Sequence, residues 1–367
     1  MKQLAICATI FAILAIGSPA WASTLRFLGS YAIPTDEWSY EDALVGGISG
    51  LAYDASRDVY YGVNDDQGIL YTLKITIDEN GIHDVEVLGM TRLDSNQITL
   101  GIQPYEEGNI DAETVVLAPD DTLIISSELD HNGNPWIRTF ALDGALLGQI
   151  PIPRKFIPIP SLTQGVRPDL AFEALALTPT GNTLYVANEQ ALGQDYPTAT
   201  VSRGTVVRII EYNMSHDMAT VTAEYPYRTE PIFVVPVGGT FAENGVSAML
   251  SVKHLMPKYD LLVMERGYSN GVGYDIKLFG VTLAGATNIM NAESLPCLCS
   301  TRTVKKTLLL QISAEPGYSN IPIQLDNMEA MTIGPKLANG HYTLILASDN
   351  NFDDSQGNLF LAFEILP

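Results

Sequence analysis

Three glutamates stand alone inside apolar runs: Glu113 in DAETVVLAP, Glu173 in LAFEALALTP and Glu329 in NMEAMTIGP. Burying a lone carboxylate beside a core is costly unless something pairs with it. Each run is followed, after a turn, by a second apolar run that closes on acids or amides: Glu128, Glu189, and Asp349 with Asn350. Two further stretches repeat the plan. One leads with Ser49 and closes at Asp65; the other leads with Ser247 and closes at the Glu265-Arg266 pair. Carboxylates brought to one place repel each other and raise each other's pKa, and a bound hard cation relieves this. Oxygen donors of this kind favour Ca²⁺, with Mg²⁺ as the second choice, over Zn²⁺ or Cu²⁺. The expected ligands are Glu113, Glu173, Glu329, Asp349, Asn350 and Asp65. Such an ion polarises an ester oxygen and acidifies a bound water. Glu173 is expected at the reacting centre, Glu189 or Glu128 would accept the proton, and Arg266 would steady developing negative charge.

Each position also has a structural reading. Asp and Asn after a strand make Asx turns, and a glutamate can pair with Arg26, Arg167, Arg228 or Arg266. Recurrence at matched positions favours the functional reading. The five histidines share no metal-ligand spacing.

The elements that would hold these residues are strands. Runs such as DVYYGV, ILYTLKI, NTLYVAN, TVVRIIEY and YTLILAS are short and bounded by Gly, Pro, Asn and Asp. The lead residues Ser49, Glu113, Glu173, Ser247 and Glu329 lie 64, 60, 74 and 82 residues apart. Each interval has room for two more strands. Four strands per repeat at this period predicts an all-β protein, a β-propeller. Five repeats are counted, and the long gaps around 195–245 and 280–325 leave a sixth, degenerate blade open. The last repeat ends at LFLAFEIL, one strand short, while TLRFLGSY near the N-terminus is spare. Pairing the two would close the ring and remove its edges.

Lys2, the apolar run Leu4–Ile16 and the Ala20-Trp21-Ala22 site read as a signal peptide over 1–22. One domain, 23–367, would remain, exported to the periplasm or beyond. No segment is long enough to span a membrane. Removing Lys2 changes the charge from −22 to 19 − 42 = −23. That charge repels nucleic acid and anionic lipid. A small-molecule ester or phosphoester is the expected partner, met by a monomer. Only Cys297 and Cys299 would persist, as a tight bridge or as two incidental thiols. No P-loop, H-E-x-x-H or Arg-His-Gly motif occurs.

The runs GVRPDLAFEALALTPTGNTLYVANEQAL, LLVMERGYSNGVGYDIKLFGV and NMEAMTIGPKLANGHYTLILASDNNF resemble the phytase-like, esterase-like propeller domain of exported bacterial proteins. The likeness covers nearly the whole mature chain. Carried over by position, the family pattern falls on Glu173, Glu189, Glu265 with Arg266, Glu329, and Asp349 to Phe352. The resemblance implies a secreted phosphoesterase-like hydrolase. Ala174 and Ala330 stand where the pattern has glycine, and Ser49 and Ser247 stand where acids lead elsewhere. Lactone-opening propellers with an axial calcium are a second reading, by fold analogy alone. A non-catalytic binding module with a structural ion is the third.

Overall fold

The strands sort into five antiparallel four-stranded sheets. A computed structural model describes residues 24–93, 110–130, 132–216, 218–295, 297–298, 300–313 and 323–367. The expected signal peptide lies outside these residues. The first blade comprises β4 (Ile48–Asp54), β5 (Val59–Asn64), β6 (Ile69–Asp78) and β7 (Gly81–Arg92). The second comprises β8 (Ala112–Leu117), β9 (Leu123–Ser127), β10 (Trp136–Phe140) and β11 (Leu146–Ile150). The third has β12 (Ala174–Leu177), β13 (Thr183–Ala187), β14 (Val206–Asn213) and β15 (Thr220–Arg228). The fourth has β16 (Ala242–Ser251), β17 (Leu261–Ser269), β18 (Gly273–Thr282) and β19 (Lys305–Ser313). The fifth joins β20 (Asn327–Lys336), β21 (Tyr342–Asp349) and β22 (Gly357–Ile365) to β1 (Leu25–Pro34). A small hairpin, β2 (Ser39–Tyr40) and β3 (Ala43–Leu44), leads into the first blade.

Each innermost strand packs against the next in the order β4, β8, β12, β16, β20 and back to β4. The molecule is therefore a five-bladed β-propeller, and no sixth blade is present among the described residues. The expected closure is there: β1 pairs antiparallel with β22, from Leu25 opposite Ile365 to Pro34 opposite Gly357. Inner strands such as β4 are buried almost throughout, whereas the outer β7 alternates with solvent. That gradient is why the inner runs are nearly all apolar, and why a carboxylate inside one stands out. Five apolar clusters fill the ring, one between each neighbouring pair of blades.

Cys297 is disulfide-bonded; Cys299 lies outside the described residues. Among the described residues no helix is long and apolar enough to cross a membrane.

Candidate active site

Four of the five lead residues occupy the same irregularity. Pairing with the second strand slips at Ser49, Glu113, Ser247 and Glu329, each the extra residue of a β-bulge in its inner strand. Glu173 directly precedes β12. A bulge breaks the alternation of side chains and re-aims one of them. Here it turns a residue of a fully packed strand toward the axis.

The closing residues are fixed by hydrogen bonds to the residue two before each lead. The amides of Asp65, Glu128 and Glu189 donate to the carbonyls of Gly47, Asp111 and Ala171, at 3.1, 2.9 and 2.8 Å. In the fourth and fifth blades the equivalent partners are Gly245 with Arg266 and Asn327 with Asp349. The second ring is thus Asp65, Glu128, Glu189, Arg266 and Asp349. An arginine replaces the carboxylate of the fourth blade.

The two rings surround a cavity of about 480 Å³. Ten carboxylates line it, with Arg266 the single cation among the described lining residues. Glu113, Glu128 and Glu173 each place a carboxylate oxygen within 4.8 Å of the others'. Asp111 and Asp169 form a second such group around the same Glu128. Burial first, and then neighbouring carboxylates, push Glu113 and Glu173 well above the usual range. Burial and Asp111 do the same to Glu128, although the Ala171 amide donates to it. Burial and Glu329 raise Asp349. Asp65 is pushed up to about 8 by burial, then by Asp66 and Glu329. Asp111 rises to about 6, chiefly through burial.

Arg266 bridges two blades. Its Nη2 lies 3.1 Å from Glu189 Oε1, and its Nη1 3.1 Å from Glu329 Oε1. Asn327 accepts from the same Nη1 and donates to Glu329 at 2.8 Å. Two glycines make room for the second ring. A Cβ on Gly245 would sit 2.5 Å from the Glu189 carboxylate. One on Gly47, at φ +64°, would sit 2.3 Å from Asp65 Oδ1.

Several residues expected at the site lie elsewhere or are otherwise engaged. Glu265 faces away from the cavity, because neighbours on a strand alternate sides. It accepts from Tyr227, the Glu230 amide, Asn244 and Lys306 in the seam between the third and fourth blades. Asn350 does not line the cavity. Its Oδ1 accepts from the Gly47 amide at 2.8 Å and its Nδ2 donates to Thr35, so it anchors the entry to the first blade. Asn351 lines the cavity instead. Arg167 is spent on the carbonyl of Ala191, outside the cavity. Ser247 points its hydroxyl at the carbonyl of Met328, 3.5 Å away, while Ser49 does line the cavity. Glu189 lies behind Arg266 and does not line it. Asp349 also makes the Asx turn of the structural reading, accepting from the Asn351 amide at 2.7 Å. Ala174 and Ala330 are wholly buried without positive φ, so nothing at these positions requires glycine.

Asp111 and Asn327 went unanticipated, although each precedes a lead by two and so shares its face. Asp66, Asp169, Glu243, Phe241, Tyr268 and Tyr274 also line the cavity without having been expected.

The donor chemistry fits a hard cation. It is all carboxylate, and a buried oxygen of one lining residue, Asp65 Oδ1, has no hydrogen-bond partner. The acidic groups could therefore hold a metal ion.

Fold and site together define a five-bladed propeller with an acidic axial cavity. The chain belongs to the phytase-like family described as "esterase-like activity of phytase", whose model matches residues 43–352. Membership supports a hydrolase-type propeller. No curated protein matches the chain. Among solved structures it is similar to a luciferin-regenerating enzyme, at 10% identity and a TM-score of 0.39, covering 91% of this chain and 95% of the other. It is also similar to the gluconolactonase XC5397 of Xanthomonas campestris, at 11% identity and a TM-score of 0.36, covering 95% and 93%. The soluble aldose sugar dehydrogenase of Escherichia coli, at 11% identity and 0.36, is covered to 99% by 91% of this chain.

Proposed function

We propose that this chain is an exported, calcium-dependent hydrolase of phosphate esters. The carrying observation is one cavity that holds both the Glu113, Glu128 and Glu173 group and a single pre-positioned cation, Arg266. An anionic ester is repelled by the carboxylates alone and needs both an ion and the guanidinium to enter.

Glu113, Glu128 and Glu173 would hold the ion, with Asp111 and Asp169 sharing Glu128. When bound, it supplies Lewis-acid polarisation of the phosphoryl oxygen and a more acidic water. Arg266 is clamped by Glu189, Glu329 and Asn327, so its orientation is set before substrate arrives. It binds the phosphoryl oxygens and stabilises the charge that grows on them. Glu189 is a positioning residue for Arg266. With Glu189 so engaged and Glu128 in the ion group, Asp65 takes the proton from the attacking water. It lines the cavity, and its carboxyl, pushed up to about 8 by burial and neighbouring acids, is basic enough in its ionised form to accept a proton. The water oxygen bonds to phosphorus as the P–O bond to the alcohol breaks; the departing alkoxide takes a proton from solvent, and Asp65 releases to solvent the one it took from the water.

The test uses residues 23–367 on a phosphomonoester, a phosphodiester, inositol hexakisphosphate and a simple carboxylic ester, each with Ca²⁺ and with chelator. Calcium-dependent phosphate release is expected. Turnover of the carboxylic ester alone would move the assignment to the esterase-like activity in the family's description. Export is checked by N-terminal sequencing, which should begin at Ser23.

A further inference from the structure

The wall of the axial cavity is uneven. β16 starts at Ala242, five residues before its lead Ser247, whereas β4 and β8 start one residue before theirs and β20 two. β17 continues three residues past Arg266 to Ser269, and β18 returns from Gly273. At about 3.3 Å per residue, the fourth blade stands roughly 10 Å proud of the lead ring. This raised hairpin carries aromatic residues. Tyr268 and Tyr274 face each other across β17 and β18, with ring centroids 4.9 Å apart. Phe241 extends the row, 6.0 Å from Tyr268. All three line the cavity, and Phe241 is 55% exposed. A row of contacting rings left open beside ten carboxylates is a surface for a flat apolar group.

The charges narrow the choice further. One anionic head can be met by Arg266 and an ion. Every additional phosphate would face acidic walls with no second cation among the described lining residues. We infer that the substrate carries a single anionic ester head on an aromatic or similarly flat apolar body, seated on Phe241, Tyr268 and Tyr274, and that a polyphosphorylated polyol is not the substrate. This inference rests on the phosphoester reading above.

The test compares benzyl phosphate, glycerol 2-phosphate and inositol hexakisphosphate in Ca²⁺. Benzyl phosphate should exceed inositol hexakisphosphate in kcat/KM by at least about 100-fold, the effect of a few close like-charge pairs. The ratio of kcat/KM for benzyl over glycerol phosphate should fall about 10-fold in both Phe241→Ala and Tyr268→Ala, the worth of one aromatic contact. Phe241 is exposed enough that its loss leaves the core intact. An unchanged ratio in both variants, or faster turnover of inositol hexakisphosphate, overturns the inference. If no phosphate ester turns over, the functional reading fails separately. Calorimetry with benzylphosphonate then decides the inference: binding weakened by Tyr268→Ala sustains it, and no binding or equal binding overturns it.

Discussion

Replacing Glu173 with glutamine should stabilise the metal-free protein and remove its response to calcium. The Glu113, Glu128 and Glu173 oxygens lie within 4.8 Å of one another. Two full charges at that distance repel by roughly 3.5 kcal/mol at an effective dielectric near 20. The folded chain escapes most of this by holding protons, as the raised pKa values of all three indicate. A residual relief of about 1–2 kcal/mol is expected from the neutral amide. Unfolding about 345 residues carries an entropy near 0.7 kcal/mol/K, so each kcal/mol moves Tm by about 1.4 °C. In chelator the variant should therefore melt about 1–3 °C above the wild type. Calcium at 100 times its Kd adds about 2.7 kcal/mol, or about 4 °C, to the wild type. In the variant that gain should shrink below about 1 °C. Scanning calorimetry of both proteins, with Ca²⁺ and with chelator, gives all four values. A variant that melts lower in chelator yet keeps the full calcium shift would show that Glu173 neither repels its neighbours nor holds the ion.

Arg266→Met strands Glu189 and Glu329 without their cation, which should cost about 3–5 kcal/mol in urea unfolding at pH 8. The loss should narrow at pH 5, because Glu189, at about 8 even with the arginine present, then protonates; equal losses at both pH values would contradict this. In chelator, stability should fall as pH rises from about 4 to 8. Asp65, Asp111 and Glu189 have folded pKa values above their unfolded ones, so their protonated forms favour the fold at low pH and that contribution is lost through the folded values. Calcium should flatten this slope, and a chelated protein most stable at pH 8 would count against the raised values. Deleting residues 23–34 removes β1 and exposes the edge of β22, so the product should lose cooperative unfolding and aggregate, which light scattering would reveal.

The ring closure was legible from the spare strand at the N-terminus and the missing one at the C-terminus, and the lead positions because a lone glutamate in an apolar strand is conspicuous and its place recurs with the blade. The closing position of the fourth blade was not. Glu265 and Arg266 are adjacent charges on one strand, and only the register that sets Gly245 opposite Arg266 decides which faces the axis. Asn350 resembled a ligand because it follows Asp349, but the turn at Asn351 and Phe352, both at positive φ, folds it back onto Gly47. Asp111 and Asn327 were readable in principle from the period of two. Phe241, Tyr268 and Tyr274 were not, since nothing local marks how far one hairpin rises above its neighbours.

Calcium-dependent phosphoester hydrolysis at the axial cavity is tested most directly by a calcium titration of stripped protein, followed in parallel by calorimetric binding and by phosphate release from a monoester. Both should saturate with the same midpoint, and Glu173→Gln should lose both. Phosphate release that persists in chelator, or calcium binding that leaves the rate untouched, would contradict it.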